Sequence, residues 1–341
     1  MVMKIAVNGF GRIGRVFLRA ALKDKEFRNR FELVAVNDIT DAGALAHLLK
    51  HDSVHGVLAS EVRSDSASLT VDGSRTEVLN EREPSRLPWE EMEVSLVLES
   101  TGLFRDRANA SKHLEAGAKK VIISAPAREP DVTLVLGVNE GVYDAKEHSL
   151  ISMASCTTGC LAPMVKVLDD EFGVERGFMT TCHAYTNDQS LLDLPHRDPR
   201  RARSASLSII PTSTGAARAI GKVLPLVQGK LDGMALRVPV ADGSIVDLVT
   251  QLSTPVSVDD INGAFKRAAS GQMKGVLDYT EEPLVSVDII GNPHSCIIDG
   301  QSTISLGGRN DLVKVLGWYD NEWGYCSRLV DLFKFVADRG I

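Results

Sequence analysis

The sequence predicts an α/β protein in two parts: a parallel sheet crossed by helices, then an α+β region with a mostly antiparallel sheet. Three observations carry that expectation. The first half alternates the β-branched runs MKIAVNGF (3–10), FELVAVND (31–38), VSLVLEST (94–101) and KKVIISA (119–125) with helical patterns. Apolar runs bounded by turn signals read as strands buried on both faces, and their alternation with helices reads as βαβ units. Beyond about residue 173, longer strand-like segments follow with fewer helices between them: MALRVPV (234–240), SIVDLVTQL (244–252) and LVKVLGWY (312–319). At 341 residues and 36.9 kDa, the chain is also too long for one ordinary core and fits two domains.

Between the first two strands, Ile13, Val16, Phe17, Ala20 and Ala21 keep the spacing of a one-faced helix. NEWGYCSRLVDLFKFVADRG (321–340) reads as a closing helix, with apolar positions at Leu329, Leu332, Phe333 and Val336. A hydrophobic fraction of 44% and a charged fraction of 24% exclude a disordered, collagen-like or coiled-coil chain. The net charge of −7 is spread without long like-charge blocks, so neither nucleic acid nor a membrane surface is expected as a partner. An anion would have to be held by a local set of Arg and backbone N–H groups. No apolar run reaches the ~18–20 residues of a membrane span, and Asn8 and Gly9 interrupt the only apolar stretch near the N-terminus. The five Cys, sparse and odd in number, point to a reducing compartment rather than a disulfide framework. The expectation is a soluble, cytoplasmic protein.

Gly9-Phe10-Gly11-Arg12-Ile13-Gly14 fits G-x-G-x-x-G directly after a buried strand and at the start of an amphipathic helix. Without a Cβ at Gly9 and Gly11, a pyrophosphate could approach the free N–H groups and positive end of that helix, as in Rossmann-type dinucleotide sites. Asp38 ends the second strand, 24 residues beyond Gly14, where such folds hold the adenine ribose. Its carboxylate would accept from a 2′-hydroxyl and repel a 2′-phosphate, which favours NAD over NADP. A helix-capping Asp is the other reading of that residue.

ISMASCTTGCLAPMVKVLDDEF (151–172) reads as a strand, a turn and a helix whose apolar positions are Leu161, Met164, Val165, Leu168 and Phe172. Cys156 therefore falls at a helix N-terminus, where free N–H groups and the helix dipole favour the thiolate. Cys160, one turn deeper, reads as packing. A nucleophilic Cys needs an imidazole to move its protons, and His183 in MTTCHAYTNDQ stands at the end of a strand-like run among hydroxyl and amide side chains. His47, His51 and His55 form a competing set at helical spacing. That spacing permits a metal pair, but no carboxylate or Cys motif completes a site, so a solvated face is expected and no metal is assigned.

With these residues in place the chain closely resembles the phosphorylating glyceraldehyde-3-phosphate dehydrogenases, essentially from end to end. The matching motifs are NGFGRIGR (8–15), ERxP around Arg82, ESTGLF (99–104), ASCTTxCLAP (154–163), HAYTNDQ (183–189), RRAR (200–203), IIPTSTGAA (209–217), RVP (237–239) and WYDNEWGY (318–325). The resemblance implies an NAD-binding domain over 1–154, a catalytic domain over 155–320, and a C-terminal helix over 321–341 that packs back on the first domain. It implies a homotetramer. It makes Cys156 the nucleophile and His183 its base. The phosphate of D-glyceraldehyde 3-phosphate would be held by Thr186, Asp188, Arg201 and Arg237, and inorganic phosphate by Ser155, Thr157, Thr214 and Gly215. Beside Gly9 and Gly11, NAD would contact Arg12, Ile13, Asp38, Arg82, Thr101 and Ser124, with Asn321 on the nicotinamide amide. Leu194-Pro195 matches the pair of the NAD-using members.

Three positions depart from the family pattern: Gly159 and Met153 stand where Asn is usual, and Pro199 where Leu is usual. None carries a chemical role. Gly159 is expected to loosen the helix start, because Gly costs ~1 kcal/mol relative to Ala inside a helix, and so to weaken activation of Cys156. The alternatives are an erythrose-4-phosphate dehydrogenase, whose branch departs from the phosphate motif kept here at Thr186, Thr214 and Gly215, and a non-catalytic binding protein of the same fold.

Overall fold

In the computed structural model, which describes residues 2–306 and 310–341, the chain divides into two compact units. The first contains the chain up to Leu134, with Gly141–Ala154 and Leu329–Ile341. The second contains Val135–Glu140 and Ser155–Arg328.

The first unit is built on a nine-stranded sheet. From Val132–Thr133 through Leu150–Ser152, Lys120–Ile123, Leu96–Glu99, Met3–Asn8 and Phe31–Asn37 to Ser74–Leu79, every neighbouring pair is parallel. Ser68–Val71 and Val62–Ser64 extend that edge antiparallel. The central strands are apolar on both faces, with Val7, Val36, Leu98 and Ile122 all buried, as a sheet covered on both sides requires. Asp72 and Gly73, at φ +49° and +87°, make the two-residue turn of the edge hairpin.

Helix Arg12–Lys23 buries Val16, Phe17, Ala20 and Ala21. Phe17 meets Phe333 at a ring-centroid distance of 5.1 Å, and Phe27 stacks on Phe31 at 4.4 Å. This aromatic cluster seats the end of helix Trp323–Arg339 in the first unit, and aromatic pairs of this kind contribute roughly 0.5–1.5 kcal/mol beyond area burial. Lys334 Nζ adds an ion pair to Asp24 at 2.7 Å.

The three histidines do not share a helix face. Helix Ala42–Lys50 stops before His51, because the chain turns into the small hairpin His51–Asp52 and Gly56–Val57. Buried Arg19 fixes that stop by donating to the carbonyls of Leu49, Lys50 and Gly56. Asp52 holds the following turn by accepting from the backbone N–H groups of Val54 and His55.

The second unit carries a seven-stranded mixed sheet in the order Ile210–Ser213, Leu231–Val238, Val174–Ala184, Ser244–Leu252, Leu312–Tyr319, Cys296–Leu306 and Leu277–Thr280. Leu231–Val238 runs parallel to Val174–Ala184, and Leu277–Thr280 parallel to Cys296–Leu306; the other neighbours are antiparallel. Strand Ser244–Leu252 alternates buried and half-buried residues along its whole length, the pattern of one core face. Helix Cys156–Phe172 packs on this sheet. Gly317 permits the approach: a Cβ there would stand 2.6 Å from Met164 Sδ and 3.2 Å from Cys160 Sγ. The five cysteines are free thiols.

Candidate active site

In the first unit a cavity of about 490 Å³ opens at the carboxyl ends of the central strands, where open parallel sheets bind ligands. Gly9, Gly11, Asp38, Arg82 and Thr101 line it. Gly9 holds φ +89°, and a Cβ on it would stand 2.6 Å from the Thr101 nitrogen. Ser100 Oγ pins the turn by donating to the Gly9 carbonyl at 2.7 Å. A Cβ on Gly11 would meet nothing within 4 Å, so the turn is open where a pyrophosphate would lie and the residues fit a dinucleotide.

Asp38 Oδ2 accepts from the Phe10 N–H at 2.9 Å and Oδ1 from the Thr40 N–H at 3.1 Å, which ties its carboxylate to the glycine turn. The nearby helix is capped by Asp41 instead. Arg12 and Ile13 open helix Arg12–Lys23, and the Arg12 guanidinium is gripped by both oxygens of buried Asp52. Burial raises the Asp52 carboxyl, but hydrogen bonds from Arg12, His55 and Val54 outweigh it and hold the group down at about 2. Ser124 follows strand Lys120–Ile123, with its hydroxyl on the Glu99 carbonyl at 3.1 Å.

In the second unit Ser155 caps helix Cys156–Phe172 by accepting from the Thr158 N–H at 3.0 Å. Cys156 is thereby the first helical residue, at the positive end of the helix dipole. Ala154, just before the capping Ser155, has φ +57°, a left-handed conformation that costs a non-glycine residue roughly 1–2 kcal/mol. His183 lies near the end of strand Val174–Ala184 and places Nε2 3.4 Å from the Cys156 sulfur.

Burial pushes the thiol up to about 11, with the Arg237 charge working against it. Burial and then the Arg237 charge push the imidazole down to about 3. Both shifts favour the neutral forms, thiol and imidazole. Nδ1 of His183 lies 2.6 Å from the Ala184 carbonyl and 2.7 Å from Arg237 Nη1. One tautomer donates Nδ1–H to the carbonyl and leaves Nε2 free to accept the thiol proton. The other accepts from Arg237 at Nδ1 and presents Nε2–H to the sulfur side. Two tautomers with satisfied partners suit a base that must also return the proton.

Arg237 Nη1 also donates to the Ala184 carbonyl at 2.9 Å. Asp188 accepts from both Thr186 and Arg201. Burial raises the Asp188 carboxyl, but the Thr186 bond and the Arg237 and Arg201 charges hold it below its ordinary value. Arg201 Nε donates to Thr212 Oγ1 at 2.9 Å. Of the RRAR cluster only Arg201 joins this set, since Arg203 pairs with Asp193 at 2.7 Å.

The Thr157 hydroxyl is buried on Tyr319 OH at 2.9 Å. Thr214 and Gly215 precede helix Ala216–Val223, which packs against the helix of Cys156. Asn321 Oδ1 accepts from Ser244 Oγ at 2.6 Å, leaving the amide N–H₂ as its free donor end. Sequence reading missed Ser244, which also holds the Ala184 N–H at 3.1 Å, and Tyr319, whose ring meets His183 edge-on at 5.9 Å. Neither carries a local spacing signal.

A dinucleotide cradle in one unit and a helix-capped thiol with its imidazole and arginines in the other define a thiol-dependent nicotinamide oxidoreductase. The chain belongs to the glyceraldehyde-3-phosphate dehydrogenase family. Residues 3–107 match the family's NAD binding domain and residues 155–321 the glyceraldehyde 3-phosphate dehydrogenase C-terminal domain. It is 57% identical to glyceraldehyde-3-phosphate dehydrogenase of Priestia megaterium and to glyceraldehyde-3-phosphate dehydrogenase 1 of Bacillus subtilis, over 100% of each chain. It is 56% identical to that of Geobacillus stearothermophilus, again over the whole of both chains. Among the described residues, no helix is long and apolar enough to cross a membrane.

Proposed function

We infer that the chain converts D-glyceraldehyde 3-phosphate, NAD and inorganic phosphate into 1,3-bisphosphoglycerate and NADH through a thioester on Cys156. The observation that carries this reading is the 3.4 Å approach of His183 Nε2 to a sulfur at a capped helix N-terminus.

His183 takes the thiol proton as Sγ attacks the aldehyde carbon, then returns it to the aldehyde oxygen to leave a hemithioacetal. It next removes the hydroxyl proton as the carbonyl re-forms. NAD would be held by Gly9, Gly11, Arg12, Ile13, Asp38, Arg82, Thr101 and Ser124, with Asn321 on the carboxamide, and would accept the hydride that leaves the hemithioacetal carbon. The thioester keeps the oxidation energy until a phosphate oxygen attacks its carbon and Cys156 leaves as thiolate, which His183 reprotonates. Thr186, Asp188, Arg201 and Arg237 hold the substrate phosphate. Ser155, Thr157, Thr214 and Gly215 hold the attacking phosphate, chiefly through hydroxyl and main-chain N–H donors at two helix starts.

The erythrose-4-phosphate and non-catalytic readings are not favoured. Relatives matching the whole chain are named for the triose phosphate enzyme, and the thiol, imidazole and arginines are all in place. The domain reading of 1–154, 155–320 and 321–341, a cytoplasmic location and a homotetramer belong to the same proposal. Exposed Leu191, Leu192, Leu194, Leu207 and Ile209 support a face covered by another copy. Light scattering at working concentration checks the tetramer, and a monomer mass contradicts it.

The test of function is NADH absorbance with aldehyde and NAD, with and without inorganic phosphate. Sustained turnover only with phosphate is expected. Equal turnover without it would mean that water takes the acyl group and that the second anion site is misassigned.

A further inference from the structure

Beneath the dinucleotide cavity lies a buried carboxylate that the mechanism leaves without a role. Glu99 is 1% exposed and His113 0%. Glu99 Oε1 accepts from both the N–H (2.8 Å) and the hydroxyl of Thr101, and Oε2 accepts from Asn8 Nδ2 at 2.6 Å. His113 Nε2 lies 3.1 Å from the same Oε2. Its other nitrogen, Nδ1, lies 3.0 Å from Trp89 Nε1. An indole N–H only donates, so Nδ1 carries no proton and the ring must donate from Nε2 to Glu99. The tautomer of His113 is thus set by Trp89, and every lone pair in use on Glu99 faces a donor.

The Thr101 hydroxyl is consequently oriented. Its proton is committed to Glu99, one lone pair accepts from the Leu103 N–H at 3.0 Å, and what remains toward the cavity is acceptor only. Asn8 passes the constraint on. Its Oδ1 accepts from Asn37 at 2.7 Å, and Asn37 exchanges hydrogen bonds with the Glu81 backbone at 2.8 and 2.9 Å. The segments bearing Asp38 and Arg82 are therefore tied to the same carboxylate.

We propose that Glu99 and His113 are positioning residues for the cofactor, fixing the Thr101 hydroxyl as an acceptor for a donor group on NAD, a ribose hydroxyl or ring amine, rather than for a phosphate oxygen. The proposal rests on the NAD-dependent reading above. A loosely held threonine would present either donor or acceptor and would lose affinity in ordering itself, whereas this one is ordered before the ligand arrives.

The test is NAD titration by protein fluorescence on the parent, Thr101→Val, Glu99→Gln and the double variant, with KM for the aldehyde phosphate and thermal unfolding measured in parallel. The expected result is about tenfold weaker NAD binding in each single variant, no further loss in the double, and an aldehyde KM within about twofold of the parent. Losses that multiply in the double variant overturn the proposal, as does parental affinity in Glu99→Gln. Should Glu99→Gln not fold, His113→Leu and His113→Gln decide. Leu is expected to weaken NAD, and Gln, which keeps an N–H for Oε2, to restore it; equal affinities overturn the proposal. A parent that binds no NAD overturns the functional reading itself.

Discussion

The Cys156 sulfur and His183 Nε2 stand 3.4 Å apart, although the first comes from a helix N-terminus and the second from near the end of a strand 27 residues later. Each element is anchored separately, the helix by the Ser155 cap and the imidazole by the Ala184 carbonyl and Arg237. The contact is therefore set before any substrate binds.

Removing the imidazole should slow the thiol directly. Burial holds the Cys156 thiol high, and His183 is the base in reach of it. His183→Ala is expected to lower the iodoacetamide alkylation rate at pH 7 by about tenfold and to move its apparent pKa upward. An unchanged rate-against-pH curve would show that the helix N-terminus alone activates the sulfur.

The same burial makes His183 an acid-stability determinant. Its folded value of about 3 lies below the ordinary 6.5, so between those values the unfolded chain binds a proton that the native chain does not. Stability from this group is complete above pH 6.5 and is lost as pH falls toward 3, by at most about 1.4 kcal/mol per pH unit. His183→Phe should flatten the loss measured by urea unfolding between pH 6.5 and 4. A parallel curve in the variant would contradict the buried neutral imidazole.

Gly159 sits in a regular first turn, with its N–H on the Ser155 carbonyl at 2.8 Å and open space where a Cβ would project. Gly159→Ala should stabilise the second unit by about 1 kcal/mol, read as a higher denaturant midpoint. A lower midpoint would mean that the helix start needs the glycine.

At the cofactor cavity, Asp38→Asn keeps an acceptor for the Phe10 N–H while removing the charge. The preference for NAD over NADP in kcat/KM should narrow by at least about tenfold, equivalent to roughly 1.4 kcal/mol. An unchanged ratio would place the discrimination elsewhere.

Much of this was legible in the chain because the governing signals are local. Ser244–Leu252 and Leu312–Tyr319 keep the bounds that their residues suggest, and Cys156 falls where a strand, a turn and an apolar period meet. The Asp72-Gly73 hairpin carried a readable turn signal within a polar stretch that hid its strands. The histidine spacing at 47, 51 and 55 misled, because Arg19, distant in sequence, ends the helix at Lys50. The Thr157 hydroxyl turned inward for a similar reason: its partner Tyr319 lies 162 positions away. Long-range polar pairings of this kind, like that of Glu99 with His113, leave no periodic trace in one sequence.

The most direct measurement is a single turnover without inorganic phosphate, following NADH and the mass of the Cys156 peptide together. About one equivalent of NADH per active chain is expected, with a 3-phosphoglyceroyl adduct on Cys156 that added phosphate discharges as acyl phosphate. NADH formed without an adduct on Cys156, or an adduct that phosphate leaves in place, would contradict the thioester route.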